Sequence, residues 1–395
     1  MITVQEARSI IWNHAGLLNA IEIAADQCLG YVLSEDIISA VDVPCFWQSS
    51  MDGYALESQH INHSLPVQDE LPAGSSRKIH LKPYHAVKVF TGGPVPEGAD
   101  IVVQREWIEQ AADGTIFIHP QKITDHQIAP GLNIRKPGSD IGIGYPAIAA
   151  GTKMNAAQIA LLASLGITRV KVYRKPVVAI VITGNELVVP GSPLEYGQVY
   201  ESNSFGLKAA LESAGVAEVN ISYAKDELNE TAARLNHAVS TADIVLLTGG
   251  VSVGEYDFVS GACVKEGVEL LFHGVKQRPG KPLLFGRKGE KLIFGLPGNP
   301  SSVLSCYQQY VLPAILKLSG RKEPQPVFAK LGQAYEKKGV LGVFLKGYLK
   351  NGVVHILPAQ ASYQLSAFAA ANCWIELDES ISSFDDMQLV PVHLI

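Results

Sequence analysis

Residues 177–187 read VVAIVITGNEL, an apolar β-branched run that ends in a glycine turn and an acid. Such a short run bounded by turn residues predicts a buried strand. Downstream, predicted strands alternate with predicted helices. The helices are at 205–214, 228–241 and 301–318, and the strands are at 219–223, 244–248, 283–285 and 292–296. Strands that alternate with amphipathic helices predict a mostly parallel sheet with both faces covered. We therefore expect a central α/β domain.

Upstream of this domain the sequence pattern changes from alternating strands and helices to short β-like runs. From about Asp42 to Asp140 the sequence contains short β-like runs at 86–90, 101–104 and 115–119, broken by Pro and Gly, which predict a small β domain. Before this segment, Thr3 and Glu6 form a capping-box pattern that predicts a first helix. After it, a second capped helix is predicted at 155–165, followed by a strand at 170–173.

Downstream of the α/β domain, residues 320–326 read GRKEPQP, which predicts a linker. Beyond it the sequence alternates between apolar and polar residues, with predicted strands at 340–349, 353–357, 373–377 and 388–393. Short alternating strands predict a small C-terminal β-barrel. The chain is thus expected to be α/β plus β and multidomain.

Bulk properties exclude several classes of protein. The 395 residues carry a net charge of −6 and are 47% hydrophobic, which suits a globular chain and argues against a general nucleic-acid binder. No apolar run approaches the roughly 20 residues that span a bilayer, and no secretory leader is evident. The five cysteines include no CxxC pair, so neither a disulfide framework nor a zinc knuckle is predicted. We expect a cytoplasmic protein that binds no membrane.

Two glycine-rich loops follow predicted strands of the α/β domain. Ligands bind beyond the carboxyl ends of strands in open parallel sheets, which is where both loops fall. The first places Glu186 after Gly184. The second reads GGVSVGEYD over 249–257, and its glycines let backbone N–H groups approach an oxyanion. Glu255 and Asp257 at its end can hold Mg²⁺, although acids in a tight turn also serve only to cap the next helix.

The same loop matches the G-x-S-x-G nucleophile elbow over 250–254, with Ser252 as the nucleophile. A catalytic triad would need a later histidine, and His273, His355 and His393 are available. A hydrolase therefore stays open as an alternative, although Gly254 and the acids behind it delay the helix that an elbow requires.

A basic segment and a rigid turn complete the motifs. Lys276, Arg278 and Lys281 place three cations within six residues of an acidic chain, which suits a phosphate or another oxyanion, although a solvated basic hairpin has the same pattern. The turn Pro297-Gly298-Asn299-Pro300 precedes the predicted helix at Ser301, whose start is a candidate anion site. In the small β domain, by contrast, Asp52 beside Gly53 indicates only a turn on local physics.

Taken together, seven segments resemble the MoeA family, the molybdopterin molybdenumtransferases related to the C-terminal domain of gephyrin. In family order they are residues 50–55, 91–100, 133–140, 183–191, 249–257, 279–282 and 295–302. The resemblance implies a molybdopterin-binding α/β domain at 175–320 and a C-terminal barrel at 321–395. It also implies a discontinuous N-terminal linker and dimerisation domain at 1–42 plus 140–174, with a β insert domain at 43–139.

The resemblance also implies the chemistry: insertion of molybdate into adenylylated molybdopterin with release of AMP, assisted by Mg²⁺. The implied catalytic residues are Asp52, Thr91, Asp140, Glu186, Asp226, Asp257, Arg278 and Lys281, of which Glu186, Asp226 and Asp257 are the implied metal ligands. The expected substrate-binding residues are Gly249, Gly250, Ser252, Gly254, Lys276, Pro297, Gly298, Asn299 and Pro300. The implied partners are a second copy of the chain that shares the site, a molybdopterin adenylyltransferase and apo-molybdoenzymes.

Three positions depart from the family pattern. Arg278 stands where Lys is common, Asn185 replaces a common Asp, and Ser139 replaces a common Glu. The last two each remove a carboxylate, which bears on the metal ligands more than on the activity. Two further alternatives remain: a non-catalytic molybdopterin-binding scaffold and a molybdopterin adenylyltransferase.

Overall fold

The structure is a computed structural model that describes residues 1–251 and 258–395. The chain forms two compact units. The first comprises Met1–Ile23, Cys28–Ser34 and Lys171–Ile395, and the second comprises Ala24–Gln27 and Glu35–Val170. The finer division into four domains stays a prediction.

A six-stranded sheet lies at the centre of the first unit. Its strands are, in order across the sheet, Glu218–Ala224, Val177–Thr183, Ile244–Thr248, Lys291–Leu296, Leu284–Lys288 and Glu269–His273. The first four run parallel and the last two are antiparallel to their neighbours. A two-residue connection joins Leu284–Lys288 to Lys291–Leu296, and so short a turn permits only antiparallel pairing. The predicted mostly parallel sheet is confirmed.

Both faces of this sheet are covered, because its side chains alternate between two hydrophobic clusters. Val178 and Ile180 belong to one cluster, and Ala179 and Val181 belong to the other. The helices that follow the strands are Asn203–Ala214, Leu228–Thr241, Phe258–Lys265, Pro300–Cys306 and Leu312–Leu318, with a π-helical turn at Tyr307–Val311. The predicted helix at 301–318 is thus one helical segment with a π turn inside it.

The first helix, Val4–His14, packs on the α/β core through Ala7 and Ile11. Thr3 and Glu6 form the predicted capping box. The helix therefore begins at its cap and buries its apolar side against the sheet domain.

The C-terminal residues form the predicted barrel. Its five strands are Val327–Leu331, Gly342–Lys350, Val353–Ile356, Cys373–Leu377 and Leu389–Leu394, and the ring closes where Gly342–Lys350 pairs with Cys373–Leu377. Strand Gln277–Arg278 adds to the barrel beside Gly342–Lys350. Minor elements are the pair Tyr335–Glu336 and Ser383–Phe384, and the helix Leu365–Ala370.

The second unit contains the predicted β insert. Its six-stranded sheet has the order Ile101–Gln104, Gly53–Leu56, Ala86–Val89, Leu65–Leu71, Thr115–Ile118 and Ile108–Gln110. Smaller pairs are Gln48–Ser49 with Ile134–Arg135, and Ile37–Ile38 with Pro146–Ile148. Its helices are Pro120–Asp125 and Ala156–Ser164, the latter capped by Asn155 as predicted.

The remaining elements are short. They are strands Ala20–Ala24, Val32–Leu33, Arg169–Tyr173, Leu187–Val188 and Val199–Tyr200, and 3-10 turns Ala25–Gln27, Ser58–His60 and Arg105–Trp107. In the two ranges that the structure describes, none of the helices has both the length and the apolar character needed to cross a bilayer.

Candidate functional site

The insert domain brings two predicted site residues together. Asp52 precedes strand Gly53–Leu56, and one of its carboxylate oxygens accepts hydrogen bonds from the Thr91 backbone N–H at 2.7 Å and the Thr91 hydroxyl at 2.9 Å. These bonds hold the pKa of Asp52 below its usual value. Gly53 is required next to it because any Cβ would collide with the carbonyl oxygen of Val103. Asp52 is thus an exposed, ionised and fixed carboxylate.

Asp140 lies elsewhere in the second unit. Its backbone N–H donates to the Val43 carbonyl at 3.0 Å, and it lines a cleft of about 750 Å³ together with Asp42, Arg135 and Ser139. Among the described residues, no hydrogen bond joins Asp140 to Asp52. The cleft therefore presents acids and one cation, and a role for Asp140 in catalysis stays a prediction.

In the α/β domain, two other predicted residues follow neighbouring strands. Thr183 and Ala224 end adjacent parallel strands in register, so the loops that carry Glu186 and Asp226 share one sheet edge. The Asn185 N–H donates to the Asp226 carboxylate at 3.1 Å, and the Asp226 N–H donates to the Asn185 side-chain oxygen at 3.3 Å. Asn185 therefore keeps an acceptor where the family commonly has Asp.

Glu186 is exposed beside this pair, and no described residue bonds to its carboxylate. Asp226 keeps one carboxylate oxygen that does not accept from Asn185. Asp257, the third predicted metal ligand, lies outside the described residues, as do Ser252 and Gly254. Residues 1–251 and 258–395 hold no group of three metal-ligating side chains. Two carboxylates nevertheless fit Mg²⁺, which is usually held by one or two protein acids plus substrate phosphates and water.

The start of the second glycine loop has the backbone that the sequence predicts. Gly249 and Gly250 have φ of 88° and 59°, in the left-handed region. A Cβ on Gly249 would lie 2.6 Å from the Thr183 carbonyl oxygen. Gly249 therefore packs against the end of strand Val177–Thr183 in a conformation that only glycine adopts without strain.

Three buried polar atoms at this edge have no hydrogen-bond partner among residues 1–251 and 258–395: Thr248 Oγ1, Asn203 Oδ1 and Ser301 Oγ. Buried polar atoms in folded proteins almost always have a hydrogen-bond partner, so an unpaired set at a sheet edge indicates a bound ligand or ordered water. Neither Asn203 nor Thr248 was predicted from the sequence. The position of Thr248 at the end of an apolar strand was the available signal.

The basic segment is built on a buried glutamine that was not predicted from the sequence. Gln277 Nε2 donates to the carbonyls of Pro279 at 3.1 Å and Gly280 at 3.3 Å, and the Tyr310 hydroxyl donates to Gln277 Oε1. This anchor leaves Lys276, Arg278 and Lys281 exposed. The predicted cationic patch is therefore available to an anion.

The turn at 297–300 is tied on both sides. The Asn203 side-chain amide donates to the Gly298 carbonyl at 2.9 Å, and the Asn299 side-chain amide donates to the Ser362 hydroxyl at 3.1 Å. Pro297 is buried, whereas Gly298 and Asn299 are exposed. A Cβ on Gly298 would lie 3.6 Å from the Gly249 Cα, so the turn presents a fixed surface next to the glycine loop.

One expectation about this turn is wrong. The start of the helix at Pro300 is not an open anion site, because its first backbone N–H groups are already bonded. The Ser301 N–H donates to the Ser362 carbonyl, and the N–H groups of Ser302 and Val303 donate to the Asn299 carbonyl. Pro300 has no N–H to offer. The backbone N–H groups of Ser301, Ser302 and Val303 therefore do not serve an anion at this edge.

The hydrolase alternative finds little geometric support. Its nucleophile Ser252 lies outside the described residues. His273 Nε2 contacts the Val251 carbonyl at 3.0 Å, and His393 Nε2 contacts the Glu376 carboxylate at 2.5 Å. These two ring nitrogens therefore have partners other than a serine.

Known proteins resemble this chain over its whole length. Residues 2–166 match the MoeA N-terminal region (domain I and II), and residues 179–317 match a probable molybdopterin binding domain. The molybdopterin molybdenumtransferase of Haemophilus influenzae is 34% identical, covering 100% of this chain and 99% of that protein. The molybdopterin molybdenumtransferase of Nostoc sp. is 36% identical, covering 76% of this chain and 70% of that protein.

A solved structure agrees with the sequence comparisons. The molybdopterin biosynthesis MoeA protein of Pyrococcus horikoshii superposes with a TM-score of 0.86 at 30% identity and covers 100% of this chain and 99% of its own. With its full length matched in sequence and in fold, the chain belongs to the MoeA family of molybdopterin molybdenumtransferases.

Proposed function

We propose that this chain inserts molybdate into adenylylated molybdopterin and releases AMP. The observation that carries the proposal is the end-to-end similarity to a named transferase, at 34% identity over 100% of this chain. The predicted residues Asp52, Glu186 and Lys281 are all exposed, as residues that meet a substrate must be.

Charged side chains at the edge of the α/β sheet would stabilise the negative charges of the substrates and of the leaving phosphate. Breaking a phosphoanhydride develops negative charge on the leaving phosphate, and Mg²⁺ at Glu186 and Asp226 would neutralise that charge. Lys276, Arg278 and Lys281 attract the anionic substrate and molybdate, which is a dianion. The fixed turn at 297–300 and the glycine loop orient the substrate, so approximation provides much of the acceleration.

The experiment incubates the purified protein with adenylylated molybdopterin, Mg²⁺ and molybdate, and measures AMP release and reconstitution of an apo-molybdoenzyme. We expect both to require this protein. Binding without turnover would instead identify a scaffold. ATP consumption with free molybdopterin would identify an adenylyltransferase. Ester cleavage that is lost in Ser252→Ala would identify a hydrolase.

We further propose that two copies of the chain form a homodimer and share the site, with Asp52 and Thr91 supplied by one copy and Lys281 by the other. Mixing inactive Asp52→Ala protein with inactive Lys281→Ala protein tests this, because a mixed dimer would contain one intact site. Activity that returns toward about a quarter of the parental value supports sharing, because random pairing makes about half of the dimers mixed and each mixed dimer has one intact site of two. No recovery, with subunit exchange verified by mass, would contradict it.

The proposed partners follow from the chemistry of the substrate and product. Adenylylated molybdopterin must be supplied by a molybdopterin adenylyltransferase, and the finished cofactor must be received by apo-molybdoenzymes. We propose a cytoplasmic location for this exchange. Cross-linking in cells that contain tagged chain would test both the location and the partners.

A further inference from the structure

A buried lysine in the C-terminal barrel donates its hydrogen bonds to a loop backbone rather than to an acidic side chain. Lys346, on strand Gly342–Lys350, is 1% exposed. Its ammonium donates to the carbonyls of Ala359 at 2.9 Å, Gln364 at 3.1 Å and Ala361 at 3.2 Å. An ammonium has three hydrogen atoms to donate, so one loop uses all of them. Burying a charge is costly unless it is fully hydrogen-bonded, which makes this loop conformation dependent on Lys346.

The same loop is tied to the Lys346 backbone. The Lys346 N–H donates to Gln360 Oε1 at 2.9 Å, and Gln360 Nε2 donates back to the Lys346 carbonyl at 2.9 Å. Ala359 has a φ of 62°, a left-handed conformation that residues with a Cβ seldom adopt. The surrounding bonds therefore hold residues 359–364 in a shape that the chain would not take alone.

The loop then reaches the α/β domain. Ser362 accepts the Ser301 N–H through its carbonyl at 3.1 Å and the Asn299 side-chain amide through its hydroxyl at 3.1 Å. Asn299 and Pro300 belong to the turn predicted to bind substrate. Hydrogen bonds at both ends, joined by the backbone of loop 359–364, thus connect Lys346 with that turn.

We propose that Lys346 is a positioning residue: it fixes loop 359–364, and through Ser362 it sets the shape of the turn at 297–300 that meets the substrate. This inference deepens the proposed function and rests on it. It also gives the C-terminal barrel a role in the transferase site, without requiring any barrel side chain to contact the substrate.

Lys337 provides a matched control. It is also a buried lysine of the C-terminal residues, 5% exposed and just before barrel strand Gly342–Lys350, and its ammonium donates to three carbonyls, those of Leu341, Asp378 and Glu379. None of these carbonyls belongs to loop 359–364. Lys337→Met and Lys346→Met therefore remove the same kind of interaction from the same barrel, and only the second removes the link to the turn.

The experiment combines kinetics with amide hydrogen exchange on the full chain. Both variants are expected to lower Tm. Lys346→Met alone should raise the KM for adenylylated molybdopterin by at least about tenfold with a smaller change in kcat, because a misplaced binding turn weakens substrate positioning. It alone should also speed exchange at the Ser301 amide. Lys346→Arg can still donate to carbonyls, so its KM should lie between those of Lys346→Met and the wild type.

The proposal is overturned if Ser301 exchanges equally in both Met variants, or if their KM values rise equally. Ser362→Ala removes the hydroxyl that accepts from Asn299 but keeps the carbonyl that accepts from Ser301, so it should raise KM less than Lys346→Met does, with Tm unchanged. If Lys346→Met fails to fold, Lys346→Arg is compared with Lys337→Arg in its place, and equal KM values together with equal exchange at Ser301 would overturn the link. Exchange is measured without substrate. Faster exchange at Ser301 in Lys346→Met therefore supports the link even if the wild-type protein transferred no molybdenum, an outcome that would defeat only the proposed function.

Discussion

The insert domain and the edge of the α/β sheet both present exposed carboxylates, but the hydrogen bonds made by these carboxylates differ. In the insert, Thr91 directs two hydrogen bonds onto one oxygen of Asp52, which fixes the side chain and its ionised state. At the sheet edge, Asp226 is bonded to Asn185, while the Glu186 carboxylate has no partner among the described residues. A fixed acid is suited to orienting a reactant, whereas an unpartnered one is suited to binding a cation. We therefore propose that Asp52 positions a reactant and that Glu186 recruits Mg²⁺.

The largest effect is expected from the fixed acid. Asp52→Ala should lower the rate of molybdenum insertion by about 100-fold or more, the usual loss when a preorganised electrostatic group is removed. Asp113→Ala is the matched control, because Asp113 is an exposed acid of the same domain that accepts from the Thr115 N–H at 3.0 Å and hydroxyl at 2.7 Å. Equal losses in both variants, measured in the reconstitution assay, would break the comparison.

The sheet edge depends on a glycine backbone at Gly249. Gly249→Ala should lower the free energy of unfolding by about 1–3 kcal/mol, because alanine at a φ of 88° is strained and also meets the Thr183 carbonyl. Gly289→Ala separates the two causes, since Gly289 has a φ of 61° and nothing within 4 Å of its Cβ position. Urea unfolding should show a smaller loss for Gly289→Ala; similar losses would mean that the close approach to Thr183 is unimportant.

The role assigned to Glu186 predicts a metal effect. Glu186→Gln should raise the Mg²⁺ concentration that gives half-maximal rate by roughly tenfold, with much of the rate restored at saturating Mg²⁺, because one of few protein ligands is weakened. Asp52→Asn should leave that concentration unchanged while lowering the rate. A Mg²⁺ titration of both variants sharpens the comparison, and a shift in Asp52→Asn instead would reverse the two roles.

The smallest effect concerns the ionisation of Asp52. Thr91→Val removes the hydroxyl donor but keeps the N–H, so the pKa of Asp52 should rise partway toward its ordinary value. A carboxyl with a depressed pKa stabilises the fold above its unfolded pKa and loses that contribution as pH falls through the folded value. The variant should therefore lose part of this contribution. NMR titration of the carboxyl carbon measures the pKa, with Thr115→Val as the control; a fall in the pKa of Asp52 would contradict the role of the Thr91 hydroxyl.

Local sequence patterns predicted the strands that are buried on both faces of the sheet. They missed strands whose pairing partners lie far away in the sequence. Strand Val177–Thr183 matches its prediction residue for residue, because continuous burial requires a continuous apolar run. Strand Val327–Leu331 was missed, because it follows a proline-rich linker and pairs with Leu389–Leu394, about 60 residues away. A sheet of such pairs leaves little signal in one segment alone.

The site shows the same division. The glycine loop and the basic segment could be predicted from residue types, whereas Asp52, Thr91 and Asp226 came from the family resemblance alone. The support beneath the basic segment was not predictable, since Gln277 meets Tyr310 across 33 positions of sequence. The Ser301 N–H donates to the Ser362 carbonyl, which leaves this N–H at the helix start unavailable to an anion. This hydrogen bond joins the α/β domain to the C-terminal residues, and no local sequence pattern predicts it.

The proposed transfer requires carboxylates of the insert and cations of the sheet edge to act in one reaction. Counting AMP released and molybdenum incorporated in a single turnover tests this most directly, in the wild-type protein and in an Asp52→Ala/Lys281→Ala double variant. We predict one AMP per molybdenum for the wild type and neither product above background for the double variant. Molybdenum incorporation by the double variant at the parental rate would contradict the requirement.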